Sequence, residues 1–300
     1  MADIVQRIAA LKRERNAVIL AHYYQQPEIQ DLADVVGDSF DLSRRARDVE
    51  ADVIVFCGVY FMAESAKILN PTRTVLLPVL TAGCPMADMV TPEHIAELRQ
   101  QYPEAAFVCY VNSSAAVKAA CDITCTSSNA VRIVQSLRER QIVFLPDRNL
   151  GHFVSRQVPE KEIILFQGFC PTHERVTADD VAKARAAMPG APVLVHPECT
   201  PSVVDAADYA GSTAQILDYA TRSDAKEFII GTEQGILHKL QGLNPGKQFH
   251  LLSPRLFCVN MKKTRLEDVE YALEHGVHAI ELDEEVAAGA RRSLTRMLEA

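Results

Sequence analysis

Three cysteines stand at matching places in the sequence: Cys84, Cys170 and Cys258, which are 86 and 88 residues apart. Thiolates are soft ligands that select zinc, copper(I) or iron–sulfur centres. An ordinary structural cluster uses four cysteines, so a cubane on three would leave one iron open to act as a Lewis acid. We therefore expect one [4Fe–4S] cluster on these three residues. Zinc on three thiolates and three ordinary core cysteines are the alternatives.

The other five cysteines have different settings. Cys57 and Cys109 lie inside apolar strands and are predicted to be core residues. Cys121, Cys125 and Cys199 have no spacing that requires a role as ligands. A chain of 300 residues can bury a large core and needs no disulfide for stability.

Polar residues two positions apart recur after three of the predicted strands. The pairs are His22 and Tyr24, Tyr110 and Asn112, and His196 and Glu198. Histidine is the readiest proton shuttle near neutral pH, and a carboxylate beside a metal can serve as a base. His173 follows Cys170 by three residues and belongs to the same register. The pattern predicts acid–base groups close to the cysteines.

A hydroxyl follows each pair at the same distance, in turns that precede amphipathic helices. These hydroxyls belong to Ser39, Ser127 and Thr213, with Ser212 beside the last. Helix N-termini attract anions, so three such turns predict a ligand with several acidic groups, such as a phosphorylated dicarboxylate. Plain N-capping is the alternative at each turn. Asp147 and Glu233 also share a register, and capping would explain both.

Short β-branched runs position all these residues, and they alternate with helical patterns along the whole chain. The predicted strands are AVILAH, VIVFCG, TVLLPV, AFVCYV, IVFLPD, IILFQG, PVLVHP, EFIIGT, FHLLS and HAIEL. This alternation predicts an α/β fold with parallel sheets. Because such sheets bind ligands at the carboxyl ends of their strands, the polar residues are expected to meet there.

The chain also repeats itself. Residues 84–150 align on residues 170–236 without a gap, and residues 17–71 align on residues 105–159 at an offset of 88. We interpret this register as three copies of one α/β unit. The expected fold is three similar three-layer αβα units with parallel sheets, related by pseudo-threefold symmetry around a central cluster site.

The copies predict the domain boundaries. The first repeat spans 1–83 and is completed by the segment 271–300, the second spans 84–169, and the third spans 170–270. No Gly/Ser-rich linker divides the chain. We expect the three repeats to meet at one site.

Composition narrows the classes of partner. The formal net charge is −8 and no basic cluster occurs, which argues against a nucleic-acid surface. No apolar run approaches the ~20 residues of a membrane-spanning helix, and the first residues form an amphipathic pattern rather than a signal peptide. We therefore expect a cytoplasmic protein that binds small molecules and neither nucleic acid nor membrane.

An ordered series of motifs carries a family resemblance. The motifs are AHYYQ, GDSFDLS, GVYFMAES, AGCPMADM, CYVNSSAAVKA, CTSSNAV, LPDRNLG, GFCPTHERV, VHPEC, AGST, GTEQGILHKL and CVNMKKT. Together they cover essentially the full chain and resemble the quinolinate synthase family. The resemblance implies condensation of iminoaspartate with dihydroxyacetone phosphate to quinolinate, with loss of phosphate and two waters, in de novo NAD biosynthesis.

The resemblance also implies roles for individual residues. One oxygen-sensitive [4Fe–4S] cluster is expected on Cys84, Cys170 and Cys258. The catalytic residues are expected to be Tyr24, Tyr110, His196 and Glu198. Substrate is expected to contact His22, Ser39, Tyr110, Asn112, Ser127, His173, His196, Glu198, Ser212, Thr213 and Met261. A monomer or homodimer, functionally linked to the enzyme that supplies iminoaspartate, is expected.

Three other functions are compatible with parts of the pattern. An aconitase-like hydro-lyase would use the same open iron, but the phosphate-ready turns and Tyr24 and Tyr110 favour the condensing enzyme. A non-enzymatic iron–sulfur sensor would need a partner-binding or DNA-reading surface, which the sequence does not offer. A phosphate-ligand-binding protein with buried thiols would be colourless, whereas a cluster protein purified without air is brown.

Overall fold

Short apolar runs form the strands in the computed structural model, which describes residues 2–300. Within that range there are three sheets of four strands each. The strands are β1 (Ala17–His22), β2 (Val35–Gly37), β3 (Val53–Cys57), β4 (Thr74–Leu76), β5 (Ala106–Tyr110), β6 (Ile123–Cys125), β7 (Gln141–Leu145), β8 (Glu162–Leu165), β9 (Val193–Val195), β10 (Tyr209–Ala210), β11 (Glu227–Gly231) and β12 (Gln248–Leu251).

All three sheets have the same topology. Their orders are β2-β1-β3-β4, β6-β5-β7-β8 and β10-β9-β11-β12. The pairs of the first and third sheets are parallel, and so are β5–β7 and β7–β8 in the second sheet. The prediction of three similar α/β units is therefore confirmed. Each sheet places its first and third strands in the centre, where the longest apolar runs of the sequence lie. Its outer strands are short, at two to four residues.

One predicted strand is wrong. The HAIEL run forms only an isolated antiparallel bridge between Ala279 and Leu76. His278, at its start, has a φ of 63°, a left-handed conformation that interrupts extended backbone. Two flanking hydrogen bonds, Leu77 N–H to the His278 carbonyl at 3.1 Å and Ile280 N–H to the Val75 carbonyl at 2.9 Å, complete the contact.

Helices follow the strands, as parallel connections require. They are α1 (Ala2–Glu14), α2 (Pro27–Leu32), α3 (Ser39–Arg47), α4 (Tyr60–Leu69), α5 (Pro92–Gln101), α6 (Ala115–Ala120), α7 (Ala130–Ser136), α8 (Arg148–Gln157), α9 (Ala178–Ala187), α10 (Pro201–Ala206), α11 (Thr213–Arg222), α12 (Ile236–Leu243), α13 (Leu266–His275) and α14 (Glu284–Glu299). No helix in this described range is both long and apolar enough to cross a membrane.

The chain forms two compact units. The first contains Met1–Glu97, Val111–Thr124 and Val259–Ala300, and the second contains Leu98–Tyr110 and Cys125–Cys258. The repeat boundaries expected from the sequence stay a prediction.

In the first unit, helices from distant parts of the sequence cover the first sheet. Ile8 of α1 and Val269 of α13 are fully buried and belong to one core with Ile19 and Val55 of the sheet. Each such aliphatic side chain contributes about 1.5–3 kcal/mol by leaving water. Helix α14 packs on α6 and α4. Its Gly289 permits close approach, because a Cβ there would lie 2.8 Å from the Ala119 Cβ.

In the second unit, the third sheet is buried on both faces. Val193 and Val195 of β9 face a core that includes Val181 of α9. The intervening residue of β9, Leu194, faces a second core with Ile216 of α11. Successive side chains of a strand point to opposite faces, so this sheet is the middle of three layers and its strand ends are held rigidly.

Candidate metal and acid–base site

Burial divides the eight cysteines, all of which lie in the described range. Cys84, Cys170 and Cys258 are half-buried, and the other five are buried. Burial, together with Asp268, raises the pKa of the Cys57 thiol to about 12, and burial raises the pKa values of Cys125 and Cys199 well above normal. Only thiolates bind metals well, so Cys57, Cys125 and Cys199 are unsuited as ligands. The burial of Cys57 and Cys109 in the core was predicted from the sequence, and the donor set of the three half-buried cysteines fits a thiolate-bound metal.

Glu198 is the centre of a hydrogen-bond network in the second unit. Its side chain is buried, and it follows β9 at the carboxyl end of the third sheet. Oε1 accepts a hydrogen bond from the Tyr110 hydroxyl at 2.6 Å, and Oε2 lies 2.8 Å from His173 Nδ1. The fold thus brings together three residues that are far apart in sequence and that were predicted to belong to one site.

His173 connects this carboxylate to a cysteine. Its Nδ1 is also 3.2 Å from Cys170 Sγ, and its Nε2 is 2.9 Å from Thr232 Oγ1. Ligand atoms of Cys170, His173 and Glu198 lie within 4.8 Å of one another, close enough to hold a metal ion. Sulfur, imidazole and carboxylate donors suit zinc or iron. These contacts support a metal cofactor at this end of the sheet.

The His196 imidazole has a defined tautomer. Its Nδ1 accepts the backbone N–H of Glu198 at 3.2 Å, and its Nε2 lies 3.1 Å from Ser127 Oγ. Burial is the main cause that lowers its pKa, to about 4, so the ring is neutral at pH 7. A neutral ring that accepts at Nδ1 carries its proton on Nε2, and it therefore donates that proton to Ser127.

Glu198 is ionised in this environment. Burial raises the pKa of Glu198. The opposite effect is larger and brings the pKa below the usual range; it comes from the neighbouring His196 and His173 and from the hydrogen bonds of His173 and Tyr110. Because His196 is neutral at pH 7, we attribute the lowering there mainly to the hydrogen bonds. The site therefore holds a buried carboxylate next to a phenol and two imidazoles.

The hydroxyl turns differ in what they do. Ser212 is fully buried and caps α11, accepting the Gln215 N–H at 3.2 Å, and it also accepts from Ser128 Oγ at 2.8 Å. Thr213 is the first residue of α11 and is buried. At α3 the cap is Asp38, so the adjacent Ser39 hydroxyl is not used for capping. N-capping thus accounts for Ser212 but not for Ser39.

The first unit contains the remaining predicted site residues. His22 Nδ1 accepts the Tyr24 N–H at 3.1 Å, and the two rings meet edge-on with centroids 4.5 Å apart. Met261 is buried, and its sulfur lies 3.5 Å from Gln25 Nε2. Asn112, Ser39 and Cys84 also belong to this unit. No hydrogen-bond partner for the buried Asn112 Oδ1 is found among residues 2–300.

Two polar residues at these strand ends were not predicted to be site residues. Gln25 is fully buried, and its Oε1 has no hydrogen-bond partner in the described part of the chain. Asn149 donates from Nδ2 to the Glu198 carbonyl at 3.0 Å and to Glu174 Oε2 at 2.7 Å. Each stands in a motif, AHYYQ or LPDRNLG, but only the structure shows the burial that marks it.

Comparison with known proteins gives one consistent result. A family model described as "Quinolinate synthetase A protein" matches residues 6–299. A Caldicellulosiruptor saccharolyticus protein named quinolinate synthase is 56% identical over 296 residues, covering 99% of this chain and 98% of its own. Proteins of the same name from Alkaliphilus metalliredigens and Clostridioides difficile are 55% and 48% identical, with coverage of 99% and 98% of this chain and 98% and 97% of their own.

Proposed function

Because the chain belongs to the quinolinate synthetase A family and is an enzyme of the quinolinate synthase type, we propose that it condenses iminoaspartate with dihydroxyacetone phosphate. The products are quinolinate, phosphate and two waters, and the pathway served is de novo NAD biosynthesis. The observation that carries the proposal is the chain of contacts from Tyr110 through Glu198 and His173 to Cys170. It links an ionised carboxylate to a half-buried thiol.

The proposed cofactor is one [4Fe–4S] cluster on Cys84, Cys170 and Cys258. When bound, it supplies a Lewis acid that helps a hydroxyl leave. His173 would then lie next to a ligand sulfur rather than bind iron itself, because its Nδ1 is 2.8 Å from Glu198 Oε2 and its Nε2 is 2.9 Å from Thr232. A single zinc ion on Cys170, His173 and Glu198 is the competing arrangement.

Proton transfer is proposed for the residues around Glu198. Each dehydration removes a carbon-bound proton and a hydroxyl from neighbouring atoms. The ionised Glu198 would take the proton, since each of its oxygens retains a lone pair beside the hydrogen bond it accepts. Tyr110 and His196, whose O–H and Nε2–H donate to Glu198 and Ser127, would orient the intermediate through their rings. The rings of Tyr24 and His22 would pack against the substrate.

Substrate contacts are proposed for a further set of side chains. The residues are Ser39, Asn112, Ser127, His173, Ser212, Thr213 and Met261, together with the proton-transfer group. Asn112 Oδ1 is a buried acceptor with no protein partner in the described range, so a donor group of the substrate would satisfy it. Small-molecule substrates, a cytoplasmic location and a link to an iminoaspartate-producing enzyme complete the proposal.

The test is anaerobic purification, followed by iron, sulfide and zinc analysis and an assay for quinolinate. About four irons per chain together with quinolinate formation would support both parts of the proposal. Four irons without quinolinate would shift the activity toward an aconitase-like hydro-lyase. One zinc per chain and no sulfide would favour the single zinc ion on Cys170, His173 and Glu198 over the cluster.

A further inference from the structure

Each copy attaches its cysteine segment to the sheet by the same backbone hydrogen bond. A backbone N–H just beyond the third strand of the copy donates to the carbonyl two residues before the cysteine. The bonds are Tyr60 to Ala82 at 2.8 Å, Arg148 to Gly168 at 2.8 Å and Gln234 to Leu256 at 2.9 Å. The main chain of the three segments is thus anchored identically, whatever their side chains.

The side chain just before that donor is not the same in the three copies. It is Val59 in the first, Asp147 in the second and Glu233 in the third. Both carboxylates are fully buried. Valine offers no acceptor, so only two of the three copies place a carboxylate at this position.

In the third copy the carboxylate contacts the cysteine itself. Glu233 Oε1 accepts the backbone N–H of Cys258 at 3.1 Å. Its Oε2 accepts the backbone N–H of Gly235 at 2.7 Å, which fixes the carboxylate relative to the start of α12. The carboxyl group therefore ties the main chain of Cys258 to the residue that precedes α12.

In the second copy Asp147 caps a helix. Its Oδ1 accepts the Leu150 N–H at 2.8 Å at the start of α8, as capping was expected to explain. Its buried Oδ2 has no hydrogen-bond partner in the described part of the chain. The bond that Glu233 makes to a cysteine segment is therefore not repeated in this copy.

We infer that Glu233 is a positioning residue that holds the main chain of Cys258 in place for the metal. The inference rests on the proposed function, because it assumes that Cys258 is a ligand. Partners that orient metal ligands in this way are typically responsible for 10–100-fold in metal affinity. Glu233 is not needed as a ligand itself.

The experiment measures iron release from anaerobically purified holoenzyme into an excess of a ferrous chelator. Glu233→Gln keeps the shape of the side chain, but its amide NH₂ then faces the backbone N–H of either Cys258 or Gly235, and that hydrogen bond is lost. We expect this variant to release iron about tenfold faster than the wild type. Glu233→Asp, which retains both oxygens, is expected to restore slow release in part.

Asp38→Asn is the matched control. Asp38 is buried and accepts two backbone N–H groups, from Phe40 at 3.0 Å and from Asp41 at 2.9 Å, but it precedes α3 and lies in no cysteine segment. Its variant should release iron within about twofold of the wild-type rate, while its thermal stability falls as much as that of Glu233→Gln. A purely structural role for Glu233 would make the two variants equal in both measurements.

Two negative results are distinguishable. If the wild-type protein holds iron and Glu233→Gln releases it at the wild-type rate, the positioning role is wrong and the proposed function stands. If the wild type holds no iron after anaerobic purification and reconstitution, the proposed cluster is wrong, and the inference fails with it. Thermal melts of each variant establish that folded proteins are compared.

Discussion

The first and third copies begin with the same turn. In each, a histidine ends or follows the first strand and its Nδ1 accepts the backbone N–H two residues later, at 3.1 Å for His22 and 3.2 Å for His196. The residue that supplies this N–H is Tyr24 in the first copy and Glu198 in the third. Tyr24 is half-buried against His22, whereas Glu198 is buried and accepts hydrogen bonds from Tyr110 and His173.

This difference teaches that the copies share a backbone turn while their side chains differ. The second unit contains the ionised carboxylate and two imidazoles, whereas the first contains an aromatic pair. The residue three positions after each cysteine follows the same logic: Ala87 in the first copy, His173 in the second and Met261 in the third. Equal backbone positions therefore do not predict equal effects of mutation.

The largest effect is expected where the copies should be equal. Cys84→Ala, Cys170→Ala and Cys258→Ala should each lose most of the iron and all quinolinate formation, because a cluster on three ligands has none to spare. Cys57→Ala is the control, since its thiol is buried and protonated at neutral pH. Iron and sulfide analysis of anaerobic preparations measures the result. A cysteine variant that kept a full cluster would remove that residue from the ligand set.

The next effect should separate the two copies. Glu198→Gln should lower kcat by about 100- to 10,000-fold, because an amide cannot accept the proton. Its counterpart Tyr24→Phe removes only a hydroxyl and should lower kcat about tenfold. Steady-state assays on preparations with matched iron content measure both. Equal losses would mean that the two copies share the proton transfer.

Tyr110→Phe tests the network around Glu198. It removes the 2.6 Å hydrogen bond to Oε1. A hydrogen bond to a charged group contributes about 1.5–3 kcal/mol, so kcat should fall about 10- to 100-fold, less than for Glu198→Gln. His173 and the metal content should be unaffected, which iron analysis would verify. A loss of iron in Tyr110→Phe would instead assign the phenol to the cofactor.

The smallest effects should distinguish capping from ligand binding. Ser212→Ala removes the cap of α11 and should lower the free energy of unfolding by about 1 kcal/mol. Ser39→Ala leaves the Asp38 cap of α3 in place and should change the free energy of unfolding by less than about 0.5 kcal/mol. If Ser39 binds an acidic group, its variant should raise KM about tenfold. Thermal or urea unfolding and KM measurements compare the two; an unchanged KM for Ser39→Ala would dismiss its binding role.

Much of the fold could be predicted because the central strands are long apolar runs with repeating spacing. The outer strands β2, β6 and β10 could not, since their two or three residues do not stand in a longer apolar run, as the three residues of β4 and β9 do. The HAIEL run has the composition of a strand. Its failure comes from the left-handed backbone at His278, which no hydrophobic pattern reveals.

The residue types of the candidate site could be predicted, but not their pairing. Glu198, Tyr110 and His173 come from different parts of the chain, and register alone does not say which side chains touch. In the sequence, helix capping explains Glu233 equally well. Its hydrogen bond to the N–H of Cys258 depends on where the cysteine segment folds back, which is a tertiary contact without local signal.

The short outer strands have a consequence for handling the protein. An exposed sheet edge is a template on which another chain can add a strand, and longer edges offer more unpaired N–H and C=O groups. In the described part of this chain every outer strand has four residues or fewer. Concentrated preparations should therefore resist growth into β-rich aggregates, even though three separate sheets give the molecule six edges to protect.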